Sequence, residues 1–281
     1  MMKAKVVGES PPSKLGESPV WKDGVLYYVD ILEGKIYSYD GNIKVLHSDS
    51  MIPFIVPCND GLVFATKDSI KHLIFKNDEV KVLFDMEFEP DIRFNDGKCD
   101  MKGVLFAGTM DMNEKEPSGS LYRLDDHVSR VLDGITISNG TIWDADKKIM
   151  YYIDSPTRKI RVFDYDTGNS SIIGERKSID VSSFMGVPDG MTIDSLGNLY
   201  VAFHGGSCVV VFDGSGKVLR KIYVGAKNVD SCVFGGDDMK TLYITTAMDE
   251  KGNGGHLYKI KNDVEGMPTA EFKFCNSKLI Q

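Results

Sequence analysis

One short phrase recurs six times along this chain: apolar residues around an aromatic, then a strand-like run ending in polar turn residues. The copies are LYYVD (26–30), LVFAT (62–66), VLFAG (104–108), MYYID (150–154), NLYVA (198–202) and TLYIT (241–245). Aligned on their third residue, the anchors are Tyr28, Phe64, Phe106, Tyr152, Tyr200 and Tyr243, in steps of 36, 42, 46, 48 and 43 residues. A period near forty with several short strands per unit is the mark of propeller blades. The expected fold is therefore all-β: one six-bladed β-propeller of four-stranded antiparallel blades, spanning residues 1–281 as a single domain.

Each phrase is followed by a partner run: KIYSYD (35–40), KHLIFKND (71–78), GSLYRLD (119–125), KIRVFDYD (159–166), CVVVFDGSG (208–216) and GHLYKI (255–260). These are β-branched and aromatic stretches punctuated by Asp-Gly and Asn-Gly pairs. No helical period persists beyond a few residues, so helix is expected to be minor. The N-terminal AKVVGE (4–9) is expected to close the ring by adding a strand to the last blade beside TAEFKFC (269–275).

Composition narrows the partners. A net charge of −8 excludes a basic surface for nucleic acid or an anionic membrane. No apolar run is long enough for a transmembrane span, and MMKAKVVGESPPSK lacks the apolar core of a signal peptide. Cys58, Cys99, Cys208, Cys232 and Cys275 are odd in number, widely spaced and without CxxC. They read as buried free thiols in a reducing compartment, so a cytoplasmic protein is the expectation, and an ordinary acidic surface with no long amphipathic helix fits a monomer.

The innermost strand of a blade begins about a dozen residues before its anchor. Glu17, Asn95, Asn139 and Asp189 stand there, 11, 11, 13 and 11 residues upstream. Blade two offers Phe54 and Ile55 in that region and blade six offers Ser231. Four blades thus aim an oxygen-bearing side chain at one end of the axis. Such groups are costly to bury unless something binds them together. Oxygen ligands suit hard divalent ions, and carboxylates also accept Zn²⁺. Taken singly, Asn139-Gly140 and Asp189-Gly190 are ordinary turn dipeptides; only the shared register argues for a site.

With those residues in place, the chain resembles the regucalcin (senescence marker protein 30)/gluconolactonase/luciferin-regenerating-enzyme family. The matching phrases are LGESPVW (15–21), RFNDGKCD (93–100), FAGTM (106–110), GSLYRLD (119–125), ISNGTIW (137–143), YYIDS (151–155), PDGMTID (188–194) and FGG (234–236), in family order. The resemblance implies a six-bladed propeller with a central metal site holding one divalent cation (Ca²⁺, Zn²⁺, Mn²⁺ or Mg²⁺). It assigns Glu17, Asn139 and Asp189 as metal ligands, Asp189 also as the catalytic base, and Arg93 and Asn95 to the substrate. It further implies hydrolysis of sugar lactones, with some relatives acting on other esters. Animal regucalcins carry a substrate-contacting glutamate three residues after the AGTM phrase. Asn113 holds that position here, with Asp111, Glu114 and Glu116 as possible substitutes.

Other chemistry is weakly represented. There is no GxSxG, HExxH, Walker A or GxGxxG sequence. Trp21 and Trp143 read as packing residues, Asp30 and Asp154 as strand-end turn residues, and His204 as a rim residue without a catalytic role. Two non-enzymatic readings stand beside the lactonase: a calcium-binding regulatory protein and a scaffold propeller.

Overall fold

The computed structural model describes residues 2–275. Six small antiparallel sheets form the blades of a six-bladed β-propeller, and each anchor aromatic lies in the second strand of its blade. The innermost strands, in blade order, are Gly16–Lys22, Ile55–Cys58, Ile92–Cys99, Ser138–Asp144, Val187–Ile193 and Asn228–Gly235. Among the described residues the one helical element is a 3₁₀ turn, Ser155–Thr157, and no helix is long and apolar enough to cross a membrane.

The apolar core lies between the blades, as six separate layers. Val20, Tyr27 and Val29 of blade one meet Ile55, Leu62 and Phe64 of blade two. Tyr28 and Tyr37 of blade one meet Val233 and Tyr243 of blade six. Each buried aromatic or branched side chain contributes about 1.5–3 kcal/mol. Both tryptophans serve these layers. Trp21 stacks on Tyr243 with ring centroids 5.6 Å apart, and Trp143 packs between Phe106 and Tyr165.

The anchors do not all face the same way. Tyr28, Phe64 and Tyr152 pack toward the preceding blade, whereas Phe106, Tyr200 and Tyr243 pack toward the next. Strand side chains alternate in direction, so a one-residue offset in an alignment reverses the face without moving the strand.

The N-terminus does close the ring, but beside a different partner from the expected 269–275. Lys5–Val6 pairs antiparallel with Tyr258–Lys261, completing blade six, whose own chain supplies three strands. Met2–Lys3 pairs parallel with the outer strand of blade five, Val218–Tyr223. Ala4 and Val7 are buried between these contacts, at 4% and 0% exposure.

Residues 265–275 instead form a strap across the base of the channel. It leaves blade five, where Ser195 N donates to Glu265 O and Met267 N to Ile193 O. It reaches blade two, diametrically opposite, where Phe272 N donates to Pro57 O at 2.8 Å. On the way Glu271 accepts from the buried Lys22 ammonium at 2.7 Å. This path also corrects the reading of the cysteines. Cys58 and Cys275 are joined as a disulfide, while Cys99, Cys208 and Cys232 are free and buried. The pair is 217 residues apart in sequence, and only the strap brings its members together.

Deleting residues 1–9 removes a strand, two buried apolar side chains and the stitch between blades five and six. The expected outcome is a loss of about 2–4 kcal/mol in denaturant unfolding. An unchanged midpoint would contradict this closure.

Candidate active site at the channel mouth

Five of the six innermost strands carry a β-bulge near the mouth of the channel. The ladder shifts between Glu17 and Val20, Phe94 and Gly97, Asn139 and Thr141, Pro188 and Met191, and Val229 and Ser231. A bulge adds unpaired residues to one strand and re-aims a side chain. Glu17, Asn95, Asn139, Asp189 and Asp230 sit in or beside these five bulges. In blade two, Ile55–Cys58 pairs in unbroken register with its neighbour. Ile55 is tied instead to blade one: Ser18 Oγ donates to its carbonyl at 3.1 Å and accepts from its amide at 2.9 Å. Ser18 holds a left-handed φ of 47°, an uncommon conformation for a serine.

Asn139-Gly140 and Asp189-Gly190 are thus mid-strand features rather than turns. A Cβ on Gly140 would lie 2.6 Å from the Asp189 carbonyl, and one on Gly190 would lie 2.2 Å from Ser231 Oγ. Glycine is required because neighbouring inner strands close on each other at the axis.

The side chains beside these glycines form one hydrogen-bonded chain. Arg93 donates to Asn95 Oδ1 at 2.9 Å, and Asn95 Nδ2 donates to Ser138 O at 2.8 Å and Asn139 Oδ1 at 3.0 Å. Asn139 Nδ2 donates to Ser155 Oγ at 2.8 Å, which passes its own hydrogen to Pro188 O at 2.7 Å. Arg93, Asn95, Asn139, Glu17 and Asp189 are all buried. Asp30 and Asp154 brace the mouth from behind. Each is buried at a strand end and accepts from the amides that lead into the axial strand of its own blade, Lys14 and Leu15 for Asp30, Thr136 and Ile137 for Asp154.

The electrostatics are dominated by carboxylates in a dry place. Burial, reinforced by the charges of Asp96 and Asp230, pushes Glu17 well above the usual carboxylate range. Burial and then Glu17 and Asp230 do the same to Asp189. Asp96 is raised by burial against the pull of Lys98, whose own ammonium is lowered by burial. Asp230 is raised by burial against the pull of His204, and its Oδ2 is buried without a partner. Burial lowers the Arg93 guanidinium to about 10. His204 is drawn down by burial, yet Asp230 more than offsets this and leaves it raised. An orphaned buried carboxylate oxygen beside mutually repelling carboxyls fits a hard divalent cation. Glu17, Asn139 and Asp189 offer it three oxygens.

Above these groups opens a cavity of about 140 Å³, lined by Glu17, Arg93, Asn95, Asn139, Asp189 and, from its walls, Glu114, His204, Met110 and Ile137. The structure therefore gathers Glu17, Arg93, Asn95, Asn139 and Asp189 around one space. Asn113 stands outside it, exposed, with its amide on Asp111 Oδ1 at 3.3 Å. Asp111 holds the turn through the amides of Asn113, Lys115 and Glu116, and that turn delivers Glu114 to the cavity. Asp230, rather than its neighbour Ser231, is the blade-six residue at the axial bulge. The signal was present: Asp230 precedes Tyr243 by 13 residues, the same interval that separates Asn139 from Tyr152. His204 does lie at the rim, but it faces inward, with Nδ1 at 2.8 Å from Asp230 and 4.0 Å from Asp189.

Residues 15–248 match the family model described as the SMP-30/Gluconolactonase/LRE-like region. The putative sugar lactone lactonase YvrE of Bacillus subtilis is 38% identical over 92% of this chain and 94% of its own. The regucalcin of Danio rerio is 35% identical over 84% of this chain and 83% of its own. A solved luciferin-regenerating enzyme superposes with a TM-score of 0.89 at 28% identity, covering 96% of this chain and 99% of its own.

The pKa directions set a pH dependence. Glu17 and Asp189 are raised in the fold, so their contribution to stability is full below their unfolded values, about 4, and is lost as pH rises through the folded ones. A bound cation reverses that loss. The thermal shift produced by Ca²⁺ on chelator-treated protein should therefore be larger near pH 7.5 than near pH 5; equal shifts would argue against a cation at these carboxylates.

Proposed function

The chain belongs to the SMP-30/gluconolactonase/LRE-like family, and on that premise we propose that it hydrolyses sugar lactones with the help of a divalent cation. The observation that carries this reading is the convergence, on one cavity, of two charge-starved carboxylates with the Arg93–Asn95–Asn139 hydrogen-bond chain.

Glu17, Asn139 and Asp189 are the residues that would hold the cation. When bound, it supplies Lewis-acid polarisation of the lactone carbonyl and stabilisation of the charge that grows on oxygen. The chain's own residues do the rest. Asn139 is fixed in orientation by Ser155, which leaves its carbonyl oxygen committed to the axis side of the amide. Arg93, largely desolvated and anchored on Phe94 O and Asn95 Oδ1, orients a carbonyl or ring hydroxyl and restricts the substrate to attackable poses. Asp189, whose proton affinity is raised by burial and by Glu17, accepts the proton of the attacking water. Water adds to the carbonyl, the ring C–O bond breaks, and the proton ends on the leaving alkoxide.

The cavity has room for roughly ten waters, the scale of a single sugar ring rather than a chain of them. Glu114 reaches it from the turn held by Asp111 and is placed to accept from a ring hydroxyl, while Asn113 shapes the turn. The walls favour a second substrate class as well. Leu15, Ile31, Met110, Ile137 and Val187 give the cavity an apolar side that suits non-sugar lactones and esters.

The deciding measurement is acid release from a panel of sugar and aliphatic lactones, on chelator-stripped protein with Ca²⁺, Zn²⁺, Mn²⁺ or Mg²⁺ restored singly. Turnover of at least one sugar lactone is expected. Silence with all four ions would return the protein to the calcium-binding or scaffold readings. Asp189→Asn should lower kcat/KM by at least about 100-fold, equivalent to about 2.7 kcal/mol of transition-state stabilisation.

Glu114→Gln should raise KM by about 10-fold with little change in kcat, as expected for uniform binding of substrate and transition state. Asn113→Ala should leave both near wild type. The opposite pattern would return substrate contact to Asn113.

A further inference from the structure

Far from the mouth, where the strap meets blade two, the fold assembles a second group of metal-binding side chains. The ligand atoms of Cys58, His72 and Cys275 lie within 4.8 Å of one another. His72 Nε2 is 3.5 Å from Cys58 Sγ and 3.0 Å from Asp60 Oδ1, and Cys58 Sγ is 3.6 Å from that same oxygen. Cys58, His72 and Cys275 are buried, His72 completely. His72 occupies a strand position between Ile70 and Leu73, directly across the ladder from Val63. An imidazole there is an expensive choice for packing alone, because its Nδ1 finds no hydrogen-bond partner. Its other nitrogen is aimed at sulfur and carboxylate.

We propose that, in its reduced form, this cluster is a structural Zn²⁺ site that clips the strap to blade two. The thiolates of Cys58 and Cys275 and His72 Nε2 supply three ligands, and the Asp60 carboxylate takes the fourth position. That set is a tetrahedral S/N/O environment of the kind zinc prefers. With Zn–S bonds of about 2.3 Å, tetrahedral geometry sets the sulfurs about 3.8 Å apart. The Cα atoms of the two cysteines are 7.0 Å apart, wider than the roughly 4.4–6.8 Å usual for a disulfide. Opening the sulfurs to share a metal therefore needs side-chain rotation rather than backbone movement.

The disulfide and the metal are alternatives on the same two sulfurs. With a water-soluble phosphine as reductant, phosphorus takes an oxygen atom from water and becomes the phosphine oxide. Its two electrons break the S–S bond, and the two protons of that water end on the sulfurs. Zn²⁺ then displaces those two protons as it binds. The site differs in kind from the axial one, whose donors are oxygens.

Co²⁺ is the probe that separates them, since only thiolate ligation gives a sulfur-to-cobalt charge-transfer band in the near ultraviolet. Full-length protein, stripped with chelator and reduced with the phosphine, is titrated with Co²⁺. The band should saturate at one equivalent per chain, disappear on adding Zn²⁺, and be missing from the oxidised protein. Cys275→Ser should abolish it, and His72→Ala should weaken Co²⁺ binding by at least about 10-fold. The proposal is overturned by the lack of a band at excess Co²⁺ on reduced wild-type protein. A band that persists unchanged in Cys275→Ser or His72→Ala overturns it as well. Should either variant fail to fold, the comparison of reduced with oxidised wild type decides the matter, because the band must appear only after reduction. These outcomes do not depend on lactone turnover.

Discussion

The ring is held shut by apolar layers between neighbouring sheets, and what happens at the axis follows from where those layers end. A layer such as Val20, Tyr27, Ile55, Leu62 and Phe64 fills the gap between two blades along their length. Nothing equivalent fills the centre, where six inner strands converge. Gly140 and Gly190 mark how close that convergence is. Side chains that leave the pleat there must point along the channel, and the bulges supply the departure. The same packing that stabilises the wheel thus creates a dry, narrow place with polar groups aimed into it.

That place carries an electrostatic debt. Glu17, Asp189 and Asp230 are all pushed upward by burial, and Glu17 and Asp189 by their neighbours' charge as well. Replacing such groups with apolar residues of similar volume would be expected to stabilise the fold. The surrounding hydrogen bonds hold the arrangement in one geometry: the Arg93–Asn95–Asn139–Ser155 chain leaves few rotamers open to its members.

Much of this was legible in the sequence because it is periodic. The anchor phrase places the second strand of every blade, and counting back from it finds Glu17, Asn95, Asn139 and Asp189. Two of the misses are offsets of a single residue, one at a bulge and one in the alignment of the anchor phrase, and neither changes composition. Asp230, rather than its neighbour Ser231, stands at the axial bulge, and three of the six anchors face the opposite blade from the one their alignment implies. His204 and Glu114 come from rim loops with no fixed spacing to the anchors, so periodicity says nothing about them. The strap is illegible for another reason. Phe272 meets Pro57 and Cys275 meets Cys58 through contacts that span the whole chain, and no local pattern announces them.

The strap also changes what kind of opening the channel is. A propeller ring has two faces, and without the strap the base of the channel would lie bare to solvent. With residues 265–275 laid across one end from blade five to blade two, the channel becomes a cup. Traffic through a cup is single-file and reversible: what arrives and what departs share one doorway. One occupant of the mouth therefore excludes another, so the rim, and not the floor, decides what enters.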